Sequence, residues 1–305
     1  MPGWTERLQT LATTPRPEPS PRARRILLTV SFVAFAAMAV VAWRNLPADT
    51  VDGVDWALLA LVPLVGVPLS LVANIGELRY QTALVGARTD LRDEVEVVFV
   101  ARAASLLPLP GSAIVRTGHV ARVGDSGVVV AGATAIVTGL LWLSSSLLVA
   151  SVALFVLDES LAGLGASLAC LAGGGLAAFL TARLPASSGQ WRAFGMLVVA
   201  ELFATVVSGA RFWVIAIALD LDAELEQLLP LVVAGAVAAA AGIFPAGIGL
   251  REGLAGLIAP LGDLSVAVGV TVAAIDRLAG LLVQSVMALA LALLRWLRPP
   301  DGMGG

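Results

Sequence analysis

Lysine does not occur in this chain of 305 residues; all nineteen basic residues are arginine. Ala, Gly and Val are abundant alongside, so the bias reads as codon usage in a GC-rich genome. The single cysteine, Cys170, lies in an apolar run and excludes both a disulfide within the chain and a cysteine metal cluster. The single histidine, His119, argues against a histidine-based metal site. Charge is scarce too: 13% of residues are charged and 58% hydrophobic, with a mean hydropathy of +0.92. A soluble chain of this length cannot hide so much apolar surface, so a polytopic helical membrane protein is expected. There is no nucleotide-binding motif, no carboxylate pair on a soluble loop and no nucleophile beside a base. Neither a metal, another cofactor nor a nucleic acid partner is expected.

Apolar runs give the order of elements. Residues 1–25 hold five arginines among four alternating prolines and read as a disordered basic tail. Ile26 to Trp43 follows as a retained first helix, too long and without the cleavage signal of a secretory leader. Further crossings are expected at Trp56 to about Ile75, Val128 to Leu157, Leu161 to Ala182, Ala193 to Leu219 and Leu264 to Leu294. Between the second and third lie a charged amphipathic stretch, Glu77 to Glu96, and an apolar run to Leu107 that is too short to cross. Residues 299–305 form a short tail.

Two hydrophobic stretches are broken in the same way. The earlier runs from Leu107 through Pro108, Pro110, Gly111 and Ser112 to Arg116 and Gly118; the later from Ala241 through Pro245, Gly247 and Gly249 to Arg251, Glu252 and Gly253. In each the order is proline, glycine, a few small or apolar residues, arginine, then glycine two positions on. Unwound backbone inside a bilayer is tolerated only where protein or a wet cavity satisfies it. Each break is therefore read as the turn of a re-entrant pair of half-helices.

With the N-terminus inside, the inner segments hold fifteen arginines and the outer loops only Arg44, which meets the positive-inside rule. Both termini are then cytoplasmic and the chain is a multi-pass protein of the cell membrane. The layout is about six full crossings plus two re-entrant pairs in a single transmembrane domain, residues 26–298. Its halves, about 26–157 and 160–294, have opposite sense, which is the pattern of an inverted-topology repeat.

The run Phe244-Pro245-Ala246-Gly247-Ile248-Gly249-Leu250-Arg251-Glu252, then Gly262 and a helix carrying Arg277, resembles the C-terminal signature of the lysylphosphatidylglycerol synthase transmembrane family, whose members are flippase-like. Leu106-Leu107-Pro108 through Gly111 to Arg116 resembles that family's other marker. The resemblance spans roughly residues 25–295. It departs where relatives carry a Glu-Arg pair after the first marker, since Ala133 to Gly139 holds only small and apolar residues and threonine. The resemblance implies a stand-alone member without the soluble aminoacyl-transferring domain, moving lipid rather than modifying it.

The chemistry expected of the breaks is anion binding. Half-helix N-termini carry partial positive charge and free N–H groups, and guanidinium binds phosphate oxygens through paired hydrogen bonds. Arg116, Arg251 and Arg277 are the expected phosphate ligands. Glu252 and Asp276 either hold the arginines or meet a cationic head group. Gly111, Ser112, Pro245, Gly247 and Gly249 shape the turns. A plainer reading competes at each point: Arg251-Glu252 and Asp276-Arg277 as structural ion pairs, Arg116 at the inner interface, Arg102 snorkelling towards it. Glu201 and Arg211 do not share a helix face and need separate partners. The leading function is a flippase for a phosphate-bearing, anionic or zwitterionic lipid. A homo-oligomer and a separately encoded lipid-modifying enzyme are the partners it admits. An integral-membrane enzyme acting on lipid-linked substrates, or a scaffold for lipid synthesis, are the alternatives.

Overall fold

A computed structural model describes residues 40, 53–104, 111–241 and 249–297. The expected tail, the first crossing at Ile26 to Trp43 apart from Val40, the C-terminal tail and the centres of both breaks, with Pro108, Pro110, Pro245 and Gly247, lie outside them. Among the described residues the structure is helical without a strand. Five helices are long and apolar enough to cross a membrane: α1 (Trp56–Leu84), α4 (Gly127–Val156), α5 (Ser160–Arg183), α6 (Gln190–Ala218) and α10 (Val266–Leu297). They correspond to the five apolar runs expected in this region.

The shorter helices are α2 (Leu91–Ala104), α3 (Gly111–Val123), α7 (Leu225–Leu228), α8 (Val232–Ala241) and α9 (Leu250–Ile258). At 1.5 Å per residue α2 and α3 reach only about 20 Å and α8 and α9 about 15 Å, against a hydrocarbon core of about 30 Å. They pack in pairs, α2 on α3 and α8 on α9. Gly111 opens α3 so close to the end of α2 that a Cβ there would sit 2.4 Å from the Ala104 carbonyl oxygen. The second pair closes similarly: a Cβ on Gly262 would lie 2.3 Å from the Gln227 carbonyl, so the segment leaving at α7 returns beside its own start.

One boundary differs from expectation. α1 does not stop near Ile75 but continues to Leu84, so Glu77 lies within a crossing helix and not on an amphipathic connector. Within α1, Val62–Gly66 forms a π-helical turn that begins beside Pro63, which has no N–H to give. Gly66 ends that turn, and a Cβ on it would lie 2.6 Å from Arg211 Cγ and 2.7 Å from Cδ. The π turn and the bare glycine together let the Arg211 stem pass α1.

α4 packs along α5, and α1 along α6, while α9 lies on α10 through Gly256 and Gly269. Phe212, Ile215, Leu228, Leu231, Ala255 and Val272 form the largest core cluster, where α6, α7, α9 and α10 meet. α5 keeps Leu161, Leu164, Leu168, Leu171 and Phe179 exposed on its outer side, as a helix facing lipid would.

Candidate functional site

A cavity of about 780 Å³ opens between α1, α2, α3, α4, α6, α8, α9 and α10. Its charged lining comes from six helices. Five arginines reach it: Arg102 from α2, Arg116 from α3, Arg211 from α6, Arg251 from α9 and Arg277 from α10. Three carboxylates stand against them, Glu77, Glu201 and Asp276. α4 and α8 contribute no charge; their lining residues are apolar or small, with Thr138, Trp142 and Ser146 the polar exceptions on α4. One cavity is therefore charged, with arginines in excess, where α1, α2, α3, α6, α9 and α10 line it and largely apolar along α4 and α8.

Asp276 is the centre of the charged part. Its side chain is 1% exposed. Arg211 donates to it twice, Nε to Oδ1 at 2.7 Å and Nη2 to Oδ2 at 3.0 Å, and Arg251 Nη2 donates to Oδ2 at 2.6 Å. This corrects the pairing that adjacency in sequence suggested: neither Asp276-Arg277 nor Arg251-Glu252 forms an ion pair, because Arg251 turns to Asp276 and Asp276 is taken by Arg211 and Arg251. Arg211 also donates through Nη1 to Ser70 Oγ, which in turn donates to the Gly66 carbonyl at 3.1 Å. Arg251 lies over the Phe212 ring, 5.5 Å from its centroid, and passes Gly235 at a distance a Cβ would just allow, 3.6 Å. α1, α6, α9 and α10 are thus tied to one carboxylate.

Two further arginines retain free donors. Arg116 Nη1 meets Glu77 Oε1 at 2.8 Å, yet its Nε and Nη2 are buried with no partner. Arg277 has Nε and Nη2 buried without a partner, and Arg251 Nε is in the same state. Buried donors of this kind cost free energy until an acceptor arrives. Several of them, on cations and around one cavity, are suited to an oxyanion.

The expected site residues divide accordingly. Arg116, Arg251, Arg277, Asp276, Gly111 and Ser112 line the cavity together. Gly249 and Glu252 do not. Gly249, at φ 86°, turns the chain into α9, and its N–H donates to Glu252 Oε2 at 2.8 Å, so Glu252 caps its own helix. Pro245 and Gly247 lie outside the described residues. Arg102, expected to snorkel, instead lines the cavity. Glu77 and Ser70 were not anticipated, and Arg211 and Glu201 were not placed in the site. For Glu77, Arg211 and Glu201 the signal is present in the sequence, since a charge inside an apolar run is a functional hypothesis by default; Ser70 gives none.

Five apolar helices, four of which line a charged cavity, define a multi-pass helical membrane protein with an arginine-rich interior site. Neither a family model nor a curated protein matches the chain.

Proposed function

We propose that this protein is a transporter of the flippase type, moving a phosphate-bearing lipid across the cell membrane. The observation that carries the reading is the set of buried, unpartnered guanidinium N–H groups of Arg116, Arg251 and Arg277 around one cavity. An anionic head group satisfies them, while the uncharged lining from α4 and α8 suits acyl chains. α2/α3 and α8/α9 act as re-entrant pairs: each is too short to cross, and the ends of the second meet at Gln227 and Gly262. With both termini cytoplasmic the two pairs enter from opposite sides as the halves of an inverted repeat, and the cavity between them is the alternating-access site. The resemblance to the lysylphosphatidylglycerol synthase transmembrane family points the same way and implies a separately encoded enzyme as a partner.

Liposomes carrying the protein and a fluorescent anionic phospholipid test this. Bleaching the outer leaflet leaves about half the signal if lipids stay put and progressively less if the protein moves them. Arg251→Ala is expected to slow movement at least about tenfold, the loss of one charge-assisted hydrogen bond to the substrate. Arg192→Ala, on the exposed start of α6, leaves the rate unchanged. Conversion of the lipid to a new product would favour the enzyme reading instead.

A further inference from the structure

Glu201 takes no part in the arginine network, yet it is among the most deeply buried charged residues of the chain. It stands in the middle of α6, lines the cavity, is 3% exposed, and its Oε1 is buried with no hydrogen-bond partner. Arg211, on the same helix, is spent on Asp276 and Ser70; Arg116 faces Glu201 but holds Glu77 at 2.8 Å, and the Glu77 carboxylate faces Glu201 as well, so two carboxylates share one guanidinium. α4, which packs along α6, brings no charged residue, and neither does α8. α10 brings Asp276, already bound to Arg211 and Arg251, and Arg277. Arg183 on α5 and Glu226 on α7 do not line the cavity. A buried carboxylate charge that shares its nearest cation with a second carboxylate and leaves an oxygen without a hydrogen bond is costly inside a membrane helix, and binding a proton relieves the cost.

We propose that Glu201 is a proton-binding site of the cavity, through which proton binding and phosphate binding favour one another. This rests on the anion-binding reading above and adds a coupling to it. With Glu201 charged, five arginines face three carboxylates; with a proton on it they face two, and the cavity attracts an anion more strongly. Reciprocity requires that an anion in the cavity raise the proton affinity of Glu201 by the same factor. The step is an acid–base one. A proton from water adds to a carboxylate oxygen of Glu201, returns to water when the anion leaves, and nothing is oxidised or reduced. A proton gradient would then drive the lipid in the direction in which protons fall.

The test is equilibrium binding of a soluble short-chain phosphatidylglycerol to the purified full chain in neutral detergent, between about pH 8 and about pH 5. Its phosphodiester keeps one negative charge throughout, so any pH dependence belongs to the protein. Affinity is expected to rise about tenfold over that range, within the usual span of coupling between sites, with protons taken up on binding, read as a heat that varies with the buffer. Glu201→Gln keeps the tight binding and loses both the pH dependence and the proton uptake. Glu201→Asp, which withdraws the carboxyl by one methylene, shifts the midpoint of the dependence; this variant serves should the glutamine variant not purify. His119→Leu retains the dependence. Binding that is independent of pH in the wild type overturns the coupling while leaving the anion site intact. A dependence that survives Glu201→Gln, fails to shift in Glu201→Asp, or vanishes in His119→Leu alone overturns the assignment to Glu201. No binding at any pH removes the anion site and the coupling with it.

Discussion

Replacing Asp276 by asparagine removes one negative charge and keeps the shape. In the wild type that carboxylate accepts three hydrogen bonds from two guanidinium groups, at 2.7, 3.0 and 2.6 Å, and is almost wholly buried, while the two arginines are 12% and 15% exposed. Breaking a buried pair from one side costs about 3 to 5 kcal/mol, most of it the charge left behind. Asparagine can still accept through its carbonyl, so the lower figure applies, about 3 kcal/mol, or roughly a hundredfold in the ratio of folded to unfolded protein. The effect on anions has the opposite sign. Arg211 and Arg251 lose their counter-charge and become more available to phosphate. Asp276→Asn is therefore expected to unfold at a markedly lower denaturant concentration in mixed micelles, to regain part of that stability when a phospholipid anion is added, and to gain more from it than the wild type does. An unchanged midpoint, or a loss that anions do not restore, would refute the assignment of Asp276 as the charge that balances this cavity when it is empty.

Three other outcomes are expected. Gly66→Leu drives a side chain into the space of the Arg211 stem, 2.6 Å from a Cβ at that position, so lipid movement falls at least about tenfold with the helices still formed by circular dichroism. Gly269→Val places its side chain against the Ala255 carbonyl, 2.6 Å from a Cβ, and separates α9 from α10; thermal unfolding should shift down by several degrees, as about 1 to 3 kcal/mol of overpacking requires. His119 has its proton affinity lowered by burial and by Arg122, with Asp93 opposing. The folded chain then holds it neutral while the unfolded chain takes up a proton below about pH 6.5. Stability is thus unaffected above that pH and falls below it, and His119→Leu should flatten the fall in a pH series of melting curves.

How much of this was legible beforehand follows from the range of the interactions. The five crossings in the described region are long apolar runs, and their order needs no tertiary information. The starts of α3 at Gly111 and α9 at Leu250 are legible too, since glycine closely following proline punctuates a helix. The end of α1 is hidden from sequence because Glu77 and Arg79 lower the local hydropathy, although both continue the helix; a charge facing a cavity and a charge entering water look alike in a hydropathy window. The pairing of Asp276 was not legible at all. Its partners lie 65 and 25 residues away in sequence, whereas its neighbour Arg277 points about 100° around the helix, where adjacent residues do not face each other. Arg102 shows the same limit: an arginine near the end of a short apolar helix fits snorkelling and cavity lining equally well until the neighbouring helices are placed.

Where the phosphate of a bound lipid sits is the most direct test of the account. A density map of the protein in a bilayer disc of anionic phospholipid is expected to show a phosphate within about 3 Å of guanidinium nitrogens of Arg251, Arg277 or Arg116, with acyl chains along α4 and α8. A cavity filled by acyl chains alone, or lipid phosphates found only at the outer rim of the helices with these three arginines still unengaged, would contradict it.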